Sequence, residues 1–180
     1  KHFTLLNTPI QQILVDGGPG ANHYSASQVE TDIDLQLALA PGVAHLYVYN
    51  APDTIAGEVD EFAAIAHQNL VDALTISWSV CESDSAYTKR TTEEASLIQM
   101  ASQGESAFAA AGDYGAFGCE ARDAGPGPYP SYTNLLEVDD PASDPFVTGV
   151  GGTSFFSTFD PGTNSFPSYP SGKEYVWNTL

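Results

Sequence analysis

The chain has 180 residues, 42% of them hydrophobic, and a net charge of −18 from 23 Asp plus Glu against 5 Lys plus Arg. That is enough chain for one domain with a sizeable core, and glycine and proline occur without the period of a fibrous protein. The charge argues against nucleic acid and anionic membranes as partners, and no apolar run approaches the roughly 20 residues of a membrane span. The same numbers allow a second reading. The 5 Lys plus Arg and 4 His can supply at most 9 positive charges in strong acid. A scarcity of bases is what a protein built for acidic surroundings would show, though any soluble acidic protein would also fit. The chain opens on Lys1 with no charged-then-apolar leader, so it reads as processed or as part of something longer.

Residues Lys1 to Tyr24 read as loop, with the turn signal "DGGPG" at Asp16 to Gly20. A helix follows in "SQVETDIDLQLALAPG". Ser27 and Glu30 fit a capping box, Val29, Ile33, Leu37 and Ala40 form an apolar stripe, and Pro41-Gly42 end it. "AHLYVYNA" (Ala44 to Ala51) reads as a buried strand, "DEFAAIAHQNLV" (Asp60 to Val71) as a helix and "ALTISWSV" (Ala73 to Val80) as a second strand. "EEASLIQMASQG" (Glu93 to Gly104) reads as a helix, and "SAFAAAGDYG" (Ser106 to Gly115) as a third strand running into a glycine loop. After the loop "AGPGPYPSY", "DPFVTGVGGTSF" (Asp144 to Phe155) carries a fourth strand, and the tail from Phe159 reads as irregular. Strands alternating with helices predict an α/β fold with a parallel sheet and flanking helices.

Glu30 and Asp34 stand four apart on one helix face, where like charges repel. Asp32 points roughly to the other side. Capping, a favourable helix dipole and a solvated face are sufficient reasons for these carboxylates, and the residues alone leave that open. Asp113 is harder to dismiss. It follows "AFAAA", between Gly112 and Gly115, at the end of a strand where parallel sheets bind ligands. An Asx-type turn is its alternative. His2, His23, His45 and His67 share no metal-ligand spacing, and no CxxC or HExxH occurs, so no metal site is expected in this segment. "GVGGTS" lacks the lysine of a phosphate loop. Ser154 is followed by Phe155 and Phe156, a poor setting for an exposed nucleophile. Cys81 and Cys119 are either two buried thiols or a disulfide, which would suit an extracellular or lysosomal protein.

Several of these stretches together resemble the sedolisin family of serine-carboxyl peptidases. "ETDIDLQLALAPGVAHLYVY" is similar to the family's E-x-x-x-D helix and following strand, and "ISWSVCE" to its I-S-x-S-W-G-x-x-E region, with Ser79 and Val80 departing from the usual segment. "GESAFAAAGDYGAFGC" resembles A-x-G-D-S-G-A with Tyr114 for the frequent serine, "DPASDPFVTGVGGTSF" resembles P-A-S-x-P-x-V-T-x-V-G-G-T, and "EYVWN" resembles E-x-x-W-N. The resemblance runs from about Asp16 to Asn178.

The resemblance implies a subtilisin-like sheet, incomplete in this chain: residues 1–180 would be the central part of a peptidase catalytic domain. It implies Glu30 as general base, Asp34 as its partner and Asp113 as the oxyanion-hole carboxyl. Asp32, Ser77, Trp78 and Gly112 would line the substrate cleft. The nucleophilic serine of G-T-S-x-x-x-P and the family's calcium site would lie in a missing C-terminal portion or a companion chain. No cofactor is expected in the segment itself. A protein or peptide substrate and a secreted or lysosome-like acidic location follow from the same likeness, and the isolated chain would be inactive. If the strands before Cys81 and Asp113 are neighbours in the sheet, both cysteines fall at one edge, and a Cys81–Cys119 disulfide is predicted. A non-catalytic relative that binds peptides or a partner is the alternative. A retaining glycosidase fits less well, because its two carboxyls must flank the scissile bond and these stand side by side on one helix.

Overall fold

A computed structural model describes residues 8–20, 26–83, 85, 87–113, 115–117, 136–155 and 174–176. Nine strands and three helices are formed among them, in the order β1 (Ile10–Leu14), α1 (Ala26–Leu39), β2 (Leu46–Asn50), α2 (Ile55–Gln68), β3 (Ala73–Ile76), β4 (Val80–Cys81), α3 (Tyr87–Gln103), β5 (Ser106–Ala110), β6 (Asp139–Asp140), β7 (Val147–Val150), β8 (Thr153–Phe155) and β9 (Glu174–Val176). The chain divides into two units, Lys1–Leu74 with Tyr87–Ser106, and Thr75–Ala86 with Ala107–Leu180.

In the first unit β1 pairs in parallel with β2, Ile10 opposite Leu46 and Leu14 opposite Asn50. This strand corrects the loop expected before Tyr24. "IQQIL" offers apolar residues only at its ends, so alternation alone hides it. The turn that follows is the expected one. Asp16 and Gly17 both have positive φ, and the Gly18 amide donates to Val15 O at 2.8 Å.

Helix α2 begins five residues before the sequence suggests. Thr54 is its N-cap, accepting from the Gly57 amide at 3.0 Å. Gly57 belongs there because a Cβ would run into the Pro52 carbonyl. Glu58 in the first turn and His67 in the last complement the helix dipole, and Asn69 closes the helix in the left-handed region. Phe62, Ile65 and Ala66 of α2 and Leu97 and Met100 of α3 are buried in the core.

Helix α3 also starts early, at Tyr87 rather than Glu93. Its first turns are polar and carry Lys89, whose side chain is only 2% exposed and lies 3.1 Å from both Glu58 of α2 and Glu93 of its own helix. Gln99 adds a hydrogen bond to Ala66 O at 2.9 Å. The charged clamp and the apolar face together lock α2 against α3.

Among the strands of the second unit, β5 stands between β3 and β7. It runs parallel to β7, with Ala107 opposite Val147 and Ala110 opposite Val150. Alternation is plain along β5: Ala107 and Ala109 are buried, while Phe108 is exposed. The expected strand Ala73 to Val80 is in fact two, β3 and β4, and β4 pairs antiparallel with β6. The fourth strand is likewise broken into β7 and β8, and β8 pairs antiparallel with β9 in the tail expected to be irregular.

Two outcomes follow for stability. Lys89→Met removes the buried cation that Glu58 and Glu93 both meet, and it should cost about 3–5 kcal/mol in urea unfolding. Burial, and then the Glu58 charge, push Glu61 up to about 7, and burial also raises Glu105. The folded state therefore holds protons that the unfolded chain releases, so this contribution is present in acid and lost as pH rises from the ordinary glutamate range through about 7. The urea midpoint should be higher near pH ~5 than near pH ~7.5, and Glu61→Gln should narrow the gap.

Candidate active site

The first unit carries the acidic helix. α1 starts at Ala26, so Ser27 is inside the helix and cannot cap it as expected, and no acidic residue falls in the first turn. Ser27 instead offers its carbonyl to Thr31 Oγ1 at 2.8 Å. Val29, Ile33 and Leu37 are half-buried as the stripe predicts, together with Asp32 and Gln36. Glu30 and Asp34 are exposed, one helical turn apart. A capping role for Glu30 is thereby removed. The helix ends as read, with Ala40 N donating to Gln36 O before Pro41.

The second unit builds the other carboxyl site. β5 ends at Ala110, and Gly112 turns the chain at φ +85, a conformation that L side chains rarely adopt. Asp113 follows, exposed to solvent. Behind Gly112 lies Asp139 of β6. A Cβ at residue 112 would overlap the Asp139 carboxyl group. Asp139 is 6% exposed, and its Oδ2 accepts from Ser79 Oγ at 2.6 Å. Its other oxygen, Oδ1, is buried without a hydrogen bond. Burial raises this carboxyl above the usual aspartate range, the Ser79 hydroxyl lowers it, and the Asp113 charge raises it further.

Ser77 and Trp78 lie in the connector between β3 and β4, not within a strand as expected for Ser77. Ser77 is half-buried and Trp78 is 44% exposed. Ser154 falls on β8, and the residues that follow Phe155 up to 173 lie outside the described ones. Ser79 and Asp139 were not singled out as site residues by sequence. Ser79 stands inside "ISWSVCE" as a departure from the resemblance, and Asp139 stands one residue before "DPASDPFVTGVGGTSF". The signal available was an Asp-Asp pair directly before Pro141.

Cys81, on β4, is buried, and Ser83 Oγ lies 3.1 Å from its sulfur. No free cysteine occurs among the described residues; Cys119, like His2, His23 and Tyr114, lies outside them. Among the described residues no group of three or more His, Cys, Asp or Glu could hold a metal ion, and no helix is long and apolar enough to cross a membrane.

This arrangement, helices with parallel strands and a carboxyl exposed just past a strand end, is a subtilisin-like α/β fold. It superimposes on the structure of Pseudomonas sedolisin, a serine-carboxyl proteinase complexed with two molecules of pseudo-iodotyrostatin, with a TM-score of 0.71 and 24% identity over 97% of this chain and 46% of that one. No protein-family model matches the chain. The chain is 33% identical to kumamolisin of Bacillus sp. (strain MN-32) over 162 residues, 85% of this chain and 27% of that protein. It is 28% identical to sedolisin of Pseudomonas sp. (strain 101) over 190 residues, 99% of this chain and 30% of that protein. The chain is thus a relative of the sedolisins and spans under a third of the length of these two curated relatives.

The turn at residue 112 is testable directly. Gly112→Ala adds a Cβ where the Asp139 carboxyl stands and forces a left-handed backbone on alanine. It should destabilise by at least the roughly 1–2 kcal/mol of that backbone conformation, measured as a fall in the urea midpoint.

Proposed function

We propose that these residues form part of an acid-active serine-carboxyl endopeptidase. Glu30 acts as the general base, Asp34 orients and tunes it, and Asp113 donates a hydrogen bond to the developing oxyanion. The nucleophilic serine comes from polypeptide outside residues 1–180. The observation that carries this reading is Asp113, exposed on the glycine turn just past β5, inside the stretch that resembles the family's oxyanion motif.

The physical chemistry is consistent with acid. A base works best with a pKa near the working pH. At pH ~4 a histidine of pKa ~6.5 is already protonated, whereas a glutamate of ~4.3 is poised. A protonated aspartic acid can donate to an oxyanion, and low pH favours that form.

Further parts of the reading rest on single features. The exposed Leu35 and Leu39 of α1, 54% and 83% accessible, and the absence of any buried residue on that helix favour a covering segment or companion chain. That Cys81 is not a free thiol supports a Cys81–Cys119 disulfide, which by the chain-entropy model contributes about 4 kcal/mol for a loop of this size. A disulfide and acid chemistry together suit a secreted or lysosome-like location, and Ser77 and Trp78, beside the end of β3, would meet the peptide substrate.

The test is casein hydrolysis at pH ~4 by the full-length protein that contains this chain. Asp113→Ala should lose roughly 10²–10³-fold in kcat, the usual loss for one oxyanion donor. Asp113→Asn keeps a donor that does not ionise and should retain more activity and lose less of it toward neutral pH. Residues 1–180 alone should neither hydrolyse casein nor label with a serine-directed peptide aldehyde. Stoichiometric labelling of Ser154 in that isolated chain would overturn the assignment of the nucleophile. Peptide binding without turnover in the full-length protein would make it a non-catalytic relative.

A further inference from the structure

Helix α3 ends in a motif that usually seats an apolar side chain. Gly104 takes the left-handed conformation at φ +90. Its amide donates to Ala101 O at 3.2 Å, and the Glu105 amide donates to Met100 O at 3.0 Å. These are the two bonds of a Schellman stop, in which the residue after the glycine commonly makes an apolar contact with the residue whose carbonyl it bonds. Here those two positions are Glu105 and Met100, 5% and 1% exposed. An acid therefore occupies a place suited to a hydrocarbon. The next amide, Ser106 N, donates to Asp72 O at 3.0 Å and starts β5.

The surroundings are poorly arranged to hold a charge on Glu105. Both carboxyl oxygens are buried without a hydrogen-bond partner. Burial raises the group most, the Val71 amide lowers it in part, and the Asp72 charge raises it again. Tyr49 of β2 is raised by its own burial and then by the Glu105 charge, and its hydroxyl donates to Gln68 Oε1 at 2.9 Å. Tyr47 stands two residues before Tyr49 on β2, and His67 is exposed in the last turn of α2. The last turn of α3 has no charged residue. Lys89 and Arg90, the only Lys and Arg among the described residues, lie in its first turn, about 20 Å of helix away. A carboxyl in such a setting is costly as an anion and tolerable as an acid.

We propose that Glu105 is a proton-operated latch: as the neutral acid it fills the apolar place in the α3 stop and closes the corner between α3 and β5, and as the anion it leaves that place and lets the corner open. The folded state holds this proton above the pH at which the unfolded chain releases it. The latch is therefore fully closed in acid and is lost as pH rises through the folded midpoint. It does not depend on the roles assigned to Glu30, Asp34 or Asp113.

The experiment is hydrogen exchange of the full-length protein, read on peptides covering residues 101–108 and corrected for the intrinsic pH dependence of exchange. Between pH ~5 and pH ~7.5 the wild type should lose protection there, by roughly 10-fold for each pH unit above the Glu105 midpoint. Glu105→Gln keeps the shape without the charge and should change by less than about 2-fold over the same range. Glu105→Met puts an apolar side chain in that place and should exceed the wild type in protection at pH ~7.5. Glu61→Gln should leave the wild-type loss in place, which separates the latch from the other raised glutamate of this unit. An equal loss of protection in Glu105→Gln and wild type overturns the inference. So does a Glu105→Met protein less protected than wild type at pH ~7.5, since the carboxylate would then be stabilising the corner and not opening it.

Discussion

The hydrogen bond from Ser79 to Asp139 closes over a carboxyl that water scarcely reaches, and much of the second unit is arranged around that fact. A group that dislikes both solvent exclusion and an unpaired oxygen is held only if its neighbours are themselves fixed. β4 and β6 supply the frame, pairing Val80 with Asp140 and Cys81 with Asp139. Ser85 satisfies the neighbouring Asp140 in the same way, so two adjacent acids are each bonded by a serine. Glycine at position 112 is then required for two reasons, the left-handed turn and the lack of space for a Cβ. Asp113 inherits its position from that turn.

The first unit repeats the electrostatic theme with different residues. Burial raises Glu61 and Glu105, and Asp16 is raised by its hydrogen bond to the Asp60 carboxyl. Each resolved carboxyl shift is upward, toward retention of the proton. A chain with few bases has few cations with which to hold carboxylates ionised in its interior. Composition and local geometry therefore point the same way at four described carboxyls, Asp16, Glu61, Glu105 and Asp139, each disposed to keep its proton.

How much of this was legible in the sequence depended on which interaction defined each element. α1, β2 and β5 are carried by apolar spacing and by glycine and proline stops, and their approximate positions could be read. α2 and α3 begin earlier than the apolar pattern because their first turns are held by other means. For α2 that means is the Thr54 cap with Gly57 behind it. For α3 it is Lys89 inside a run of threonines, where Thr92 bonds back to Thr88 O at 2.8 Å and the composition reads as loop. β1, β6 and β9 exist because a partner strand is present, and no short-range signal marks them. The site divides similarly. Glu30, Asp34 and Asp113 are candidates because motifs name them. Asp139 and Ser79 are brought together across sixty positions of sequence, and only the folded chain shows that contact.

The clamp between α2 and α3 has a consequence at the other end of the pH scale. Lys89 keeps its charge however acid the solution becomes, while Glu58 and Glu93 can be neutralised. Once they are, the two ion pairs that joined the helices are lost while the amine stays enclosed, and the contact no longer favours the folded state as it did. The first unit thus has a floor as well as a ceiling: raised carboxyls favour the folded state as solutions become moderately acidic, and this one buried amine limits how far that advantage can be carried.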